Sequence, residues 1–179
     1  MDANEGYKPD QAVKVIEELE RYEVEFVEQP VPASNMDGMA FVAASVETPI
    51  VADESVFSIR DAYNVLQHRA ADGINLKIHK PGGLYQAKKI AVIAEAAQAS
   101  CLIGWGTTGI TVASALQLGA TMPNLDFACE FNVGMLIIED DIVKKKFAIE
   151  NGTIQVPQTP GLGIEIDEEK LKRYESHPN

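Results

Sequence analysis

Six strand-like segments of this chain end on a polar or small residue at nearly constant spacing. Asp2, Glu28, Asp53, Lys77, Gly104 and Glu130 follow one another at intervals of 26, 25, 24, 27 and 26 residues. Such a rhythm repeats one strand-plus-helix unit, and each repeat delivers a side chain to the same rim of a sheet. In a parallel α/β barrel that rim, at the carboxyl ends of the strands, is where chemistry is built.

The segments between the rungs carry the repeat. Residues 10–22 place Val13, Ile16, Leu19 and Tyr22 on one helical face, with Pro9 suited to the first turn. Residues 24–28 read as a strand closed by Gln29-Pro30. A short helix over 36–46 leads to a buried strand at 49–53, and Ser58 is placed to cap a helix running to 68. Strands at 73–77, 101–104 and 125–130 alternate with a helix opened by Pro81-Gly82-Gly83 and another over 108–119. Continuous apolar strands alternating with helices mean a parallel sheet covered by helices.

The expected architecture is therefore a (β/α) TIM-type barrel of which about six of the eight strands are present. The first, Met1-Asp2-Ala3, retains almost none of its strand, so the chain is expected to be the C-terminal portion of a longer protein. Residues 1–137 are assigned to this partial barrel. Residues 138–179 are assigned to a hairpin, a Pro/Gly loop and a terminal helix. In the hairpin, 144–149 and 153–156 flank Glu150-Asn151-Gly152, and Asn-Gly is a strong turn signal.

Charge narrows the partners. With 27 acidic against 15 basic residues, the net charge of -12 argues against nucleic acid, whose phosphates need a basic face. No apolar run reaches the length of a membrane span and no signal peptide is visible, which points to the cytoplasm. Cys101 and Cys129 lie in apolar runs and are expected to be buried free thiols.

Asp2, Glu28 and Asp53 end three successive strands. Bare carboxylates a few ångströms apart repel one another and their pKa values rise. A divalent cation removes that cost, and hard Mg²⁺, with Mn²⁺ as a substitute, prefers such oxygen ligands. The bland alternative is that each acid caps a helix or meets a surface lysine. Lys77 lies one strand further on, in an apolar run where an amine is expensive unless it has a task. Burial and a nearby cation would lower its pKa and make it a general base. A salt bridge to Glu54 or Glu130, or a Schiff-base lysine, would also explain it.

The stretches Met1-Asp2-Ala3-Asn4, Phe26-Val27-Glu28-Gln29-Pro30, Ala52-Asp53-Glu54-Ser55 and Asn75-Leu76-Lys77-Ile78-His79-Lys80-Pro81-Gly82-Gly83 resemble the barrel domain of the enolase superfamily. Within it they are similar to the muconate lactonizing enzymes of the mandelate racemase/muconate lactonizing family. Thr159-Pro160-Gly161-Leu162-Gly163 resembles that group's C-terminal segment. The resemblance implies that Asp2, Glu28 and Asp53 are Mg²⁺ ligands and that Lys77 is the acid/base lysine. It implies substrate contacts at Asn4 and Glu130, and Trp105 is a candidate aromatic wall. Glu54 and Asn75 are expected to support the ligands from behind. The implied reaction is Mg²⁺-dependent removal of the α-proton of a small carboxylate substrate through an enediolate, followed by isomerisation, epimerisation or elimination.

Three features depart from the family pattern. The capping domain, the two earlier strands and the Lys-x-Lys of the second strand are not in this sequence. The seventh-strand loop reads Gly104-Trp105-Gly106-Thr107-Thr108-Gly109, without an acid, and Glu130-Phe131-Asn132-Val133-Gly134 departs from Glu-Leu-x-Gly-Pro. His79 reads as a solvated loop residue, and Lys80-Pro81-Gly82-Gly83 as a tight turn rather than an anion site. Two rival functions are a non-catalytic partial barrel and a Schiff-base aldolase barrel. Unpaired sheet edges of a partial barrel favour association of copies, so a homo-oligomer is expected.

Overall fold

The computed structural model describes residues 1–104, 106–131 and 138–175. The chain divides into two compact units, Met1–Leu102 with Pro123–Ala128, and Ile103–Met122 with Cys129–Asn179. In the first, helices and strands alternate: α1 (Pro9–Glu20), β1 (Val27–Glu28), α2 (Met36–Ser45), β2 (Ile50–Ala52), α3 (Ile59–Gln67), β3 (Gly73–Leu76), α4 (Leu84–Ala96) and β4 (Ser100–Ile103), whose last residue opens the second unit. The strands hydrogen-bond in chain order, β1-β2-β3-β4. β1 pairs with β2 in parallel at Val27↔Ile50 and Glu28↔Val51, and β2 with β3 at Val51↔Gly73 and Ala52↔Ile74. Each helix therefore carries the chain back beside the strand it has just left, as a repeated strand–helix unit requires.

Local chemistry sets the helix starts. Pro9 occupies the first turn of α1, and Asn35 caps α2 by accepting from Gly38 N. Ser58 caps α3 by accepting from Asp61 N, as its position predicts. The core of this unit is aliphatic. Val27, Ile50, Val51, Ile74 and Leu102 from the strands, and Ala12, Ile16, Met39, Val65, Ala87 and Ile90 from the helices, are buried. Gly73 opens β3 because a Cβ there would lie 2.9 Å from the Ser100 carbonyl oxygen and 3.1 Å from the Phe127 ring.

In the second unit, α5 (Gly109–Gly119) is capped by Thr108, and Asp141 Oδ2 accepts from Gly109 N at 2.7 Å. Gly104 and Glu130 form a parallel bridge. The terminal helix, α6 (Glu168–Tyr174), is capped by Asp167 and held by Lys170, whose Nζ meets Asp140 at 2.5 Å.

Several expectations are corrected. α1 ends at Glu20, so Tyr22 leaves the helical face and stands exposed, with the Arg21 guanidinium 4.8 Å from its ring centroid. The strand expected over 125–130 is reduced to the bridge at Glu130. At Asn151 and Gly152, φ of 51° and 75° give the turn expected there, closed by a Glu150↔Thr153 bridge. Long hairpin arms do not follow. Val143 pairs instead with Ile166, because Lys144 N donates to Glu165 O and Asp167 N to Ile142 O. Neither cysteine forms a disulfide, and only Cys101 is fully buried. No helix of the described residues is long and apolar enough to cross a membrane.

Candidate active site

Register explains which side chains meet. In a parallel sheet, aligned residues point to the same side and alternate residues share a face. Asp2 is bridged to Glu28, Glu28 is aligned with Val51, and Val51 with Gly73. One face therefore carries Asp2 and Glu28, then Asp53 just past β2, then Asn75 on β3 and Lys77 just past it. Ile50, Ala52, Ile74 and Leu76 take the opposite face.

Glu28, Asp53 and Asn75 are almost completely buried, at 1%, 2% and 1% exposure. Asn75 Nδ2 donates to Glu28 Oε1 at 2.8 Å. Lys77 Nζ binds Asp53 Oδ2 and stands 4.0 Å from Glu28 Oε1. Lys80 folds back from the following turn, and its Nζ binds both Asp53 Oδ1 and the Asp53 carbonyl oxygen. Asp2 is exposed and accepts from Asn4 N at 2.9 Å and Asn4 Nδ2 at 2.7 Å.

The protonation equilibria follow from these contacts. Burial pushes the Glu28 carboxyl up to about 8; the Asn75 hydrogen bond opposes this, and the charges of Asp2 and Asp53 add to it. Burial also acts on Asp53, but Lys77 and Lys80 outweigh it and hold that carboxyl below its usual range. Glu54 is raised by burial and by Asp53. Burial works to lower Lys77, yet Asp53, Glu28 and Glu54 overcome it, so its pKa lies above the ordinary lysine value. This reverses the expected lowering: the carboxylates around Lys77 favour its ammonium form. Lys80 moves the other way, because burial dominates there.

The acids at the strand ends are accompanied by lysines. Among the described residues no group of three or more His, Cys, Asp or Glu side chains is arranged to hold a metal ion. Two ammonium groups meet the oxygens of Asp53, and Asn4 meets those of Asp2. Three buried oxygens beside this cluster or next in sequence to it have no hydrogen-bond partner, namely Glu28 Oε2, Glu54 Oε2 and Asn75 Oδ1. All three are acceptors, which a cation would satisfy.

The other sequence candidates fall elsewhere. Glu130 belongs to the second unit, is exposed, and donates its main-chain N–H to Ile103 O. Trp105 and the departure at 132–134 lie outside the described residues. Two residues that the sequence did not single out are built into the cluster. Lys80 was expected only as part of a turn, and Gln29 only as the end of a strand.

Known proteins place this cluster in context. Residues 1–170 match the enolase C-terminal domain-like family. The chain is 38% identical over 168 residues to the L-Ala-D/L-Glu epimerase of Clostridium acetobutylicum, covering 92% of this chain and 46% of that one. It superposes on the crystal structure of 2-chloromuconate cycloisomerase from Rhodococcus opacus with a TM-score of 0.92 and 32% identity, covering 98% of this chain and 48% of that one. It superposes on a dipeptide epimerase from Cytophaga hutchinsonii, complexed with Mg and the dipeptide D-Ala-L-Val, with a TM-score of 0.89 and 27% identity, covering 96% and 47%. The chain thus spans about half the length of the relatives it matches, and its α/β fold corresponds to the C-terminal barrel half of the muconate lactonizing enzymes. Sequence match and superposition agree, and the chain belongs to the mandelate racemase/muconate lactonizing branch of the enolase superfamily, as its C-terminal barrel domain.

Proposed function

We propose that this chain supplies the cation-binding and proton-transferring part of a site that removes and returns the α-proton of a small carboxylate substrate, with epimerisation or cycloisomerisation as the outcome. The observation that carries the reading is the Lys77 ammonium on Asp53, 4.0 Å from Glu28, at the carboxyl ends of β1 to β3. Relatives named as dipeptide epimerases and as chloromuconate cycloisomerases share one requirement, a proton moved at a carbon near a carboxylate. Dipeptides and muconate-like diacids are therefore the substrate classes proposed.

The residues fit Mg²⁺ by their chemistry. Glu28 Oε2 is a buried oxygen with no partner, and Asp53 and Asp2 add further hard donors. Asp2, Glu28 and Asp53 would hold the ion, with Glu54 and Asn75 supporting them. Bound there, Mg²⁺ would polarise the substrate carboxylate and stabilise the charge left when the α-proton departs, a chemistry general to this superfamily. Lys77 moves the proton at Nζ: its ammonium delivers one, and its amine takes one. Asp53 sets which form Lys77 holds, because their contact favours the ammonium. Asn4 remains a proposed substrate contact.

Exchange of the α-proton of a dipeptide into deuterated water, and entry of deuterium into the lactone formed from a muconate, test the assignment, read by NMR at saturating Mg²⁺. Exchange is expected with the parent chain and should fall at least ~100-fold in Lys77→Ala, the scale of losing a positioned acid or base. Undiminished exchange in Lys77→Ala would remove Lys77 from the reaction.

A further inference from the structure

We infer that Gln29 is a positioning residue that sets Glu28 and Asp53 at the separation a shared cation needs. The inference rests on the proposed function, because it concerns the same acids.

Gln29 follows Glu28 directly and has no exposed surface. Its side-chain amide can accept two hydrogen bonds and donate two, and all four are made. Oε1 accepts from Asp53 N at 3.0 Å and from Ser55 N at 3.1 Å. Nε2 donates to Val31 O at 2.9 Å and to Ser55 Oγ at 2.8 Å. The partners fix the orientation of the amide. Two main-chain N–H groups face the oxygen and a carbonyl faces the nitrogen, so the reverse assignment would break three of the four bonds.

The main chain of Gln29 extends the same connections. Its N–H donates to Val51 O at 2.9 Å, and its carbonyl accepts from Glu5 N at 2.8 Å. Its φ is 36°, in the left-handed region that residues other than glycine seldom adopt, and Pro30 follows it. A residue held there by four side-chain and two main-chain bonds is over-determined by its surroundings, as strained positions beside functional sites commonly are.

One residue thus links all three acid-bearing segments. Glu28 is joined to it covalently, Asp53 through its amide N–H, and the Asp2 turn through Glu5. The lysines hold the carboxylate of Asp53, and Lys80 its carbonyl oxygen as well, whereas Gln29 holds its main-chain N–H. A cation gripped by oxygens from two strands tolerates little change in their separation, and supporting contacts of this kind commonly govern affinity 10- to 100-fold.

Calorimetric titration of the full chain with Mg²⁺ alone tests this, with melting followed by circular dichroism on the same samples. Gln29→Met keeps the length of the side chain and removes all four of its bonds; its Mg²⁺ affinity is expected to fall at least ~10-fold. Ser55→Ala removes only the Oγ contact and should stay within about threefold of the parent, because Asp53 N remains held. A merely structural role would lower melting in both variants and leave affinity unchanged, and a folded Gln29→Met with parental affinity would overturn the inference. Where Gln29→Met does not fold, Gln29→Asn is read by the same criteria. Failure of both to fold would make Gln29 a stability residue and end the inference. A parent chain that binds no Mg²⁺ would instead defeat the proposed function, and the role of Gln29 with it.

Discussion

Asp53 is met by two ammonium groups, and their surroundings separate their tasks. Lys77 spans Asp53 and Glu28, so it touches both strand-end acids. Lys80 is tied to the Asp53 carbonyl oxygen as well as to Oδ1, and its Nζ lies 4.9 Å from the Phe57 ring centroid. A side chain fixed to backbone and to an aromatic face stays when a carboxylate oxygen is engaged elsewhere. Lys80 is thus the counter-charge tied to the Asp53 backbone, and Lys77 the one shared between Asp53 and Glu28. Exposure of the pair is 8% for Lys80 and 2% for Asp53, so removing one member leaves an under-compensated buried charge. Lys80→Met should lower stability by about 3 kcal/mol, the lower end for a broken buried pair, since Lys77 keeps hold of Oδ2. Urea unfolding of the two proteins at pH 7 measures it; a loss below about 1 kcal/mol would place the pair among weak surface bridges.

At the scale of elements, the sequence announces where strands end better than how long they are. The rungs Glu28, Asp53 and Lys77 stand at or one residue past the ends of β1, β2 and β3, because apolar runs closed by polar residues mark those ends locally. Strand length is set by pairing, which is not local. The strand expected from residue 24 is paired only at Val27–Glu28, while Phe26 packs on Phe127 with ring centroids 4.9 Å apart. The same limit hid Gln29 and Lys80. Nothing in Glu28-Gln29-Pro30 reveals that the partners of the amide lie at Asp53 and Ser55. Lys77 and Lys80 are one residue type three positions apart, and only the fold of the turn brings both to Asp53. Gly73 shows how tightly pairing binds an element. Its missing Cβ leaves room for the Ser100 carbonyl, a main-chain atom of β4 that cannot retreat without opening the sheet. Gly73→Ala should cost about 2 kcal/mol, within the range for overpacking a core, against no more than about 0.5 kcal/mol for a change at an exposed position such as Tyr63→Ala. Thermal unfolding of both variants decides it, and equal midpoints would mean β3 and β4 are looser than their spacing requires.

For the whole molecule, Glu28 ties stability to pH. Its carboxyl lies at about 8 in the fold against an ordinary 4.5, so between these values the folded chain holds a proton that the unfolded chain has released. Stability must then fall as pH rises through that window. Other groups tilt the curve the opposite way. His79 and Lys80 lie below their ordinary values, so the unfolded chain binds more protons at those two sites and stability gains with pH around them. Asp53, held low, contributes a constant amount above pH 5. The Glu28 contribution is therefore read as a difference between proteins. Urea unfolding of chelator-treated parent and Glu28→Gln at pH 5, 6, 7 and 8 should show the parent losing stability relative to the variant at each step, and parallel curves would mean that Glu28 is ionised throughout. Mg²⁺ should flatten that slope for the parent alone. Its binding requires the carboxylate, so affinity climbs as Glu28 gives up its proton, and binding to the fold stabilises it by about 2.7 kcal/mol at a hundredfold excess over Kd. In large excess Mg²⁺ the parent and Glu28→Gln should run nearly parallel from pH 6 to 8, where without the ion the parent lost ground.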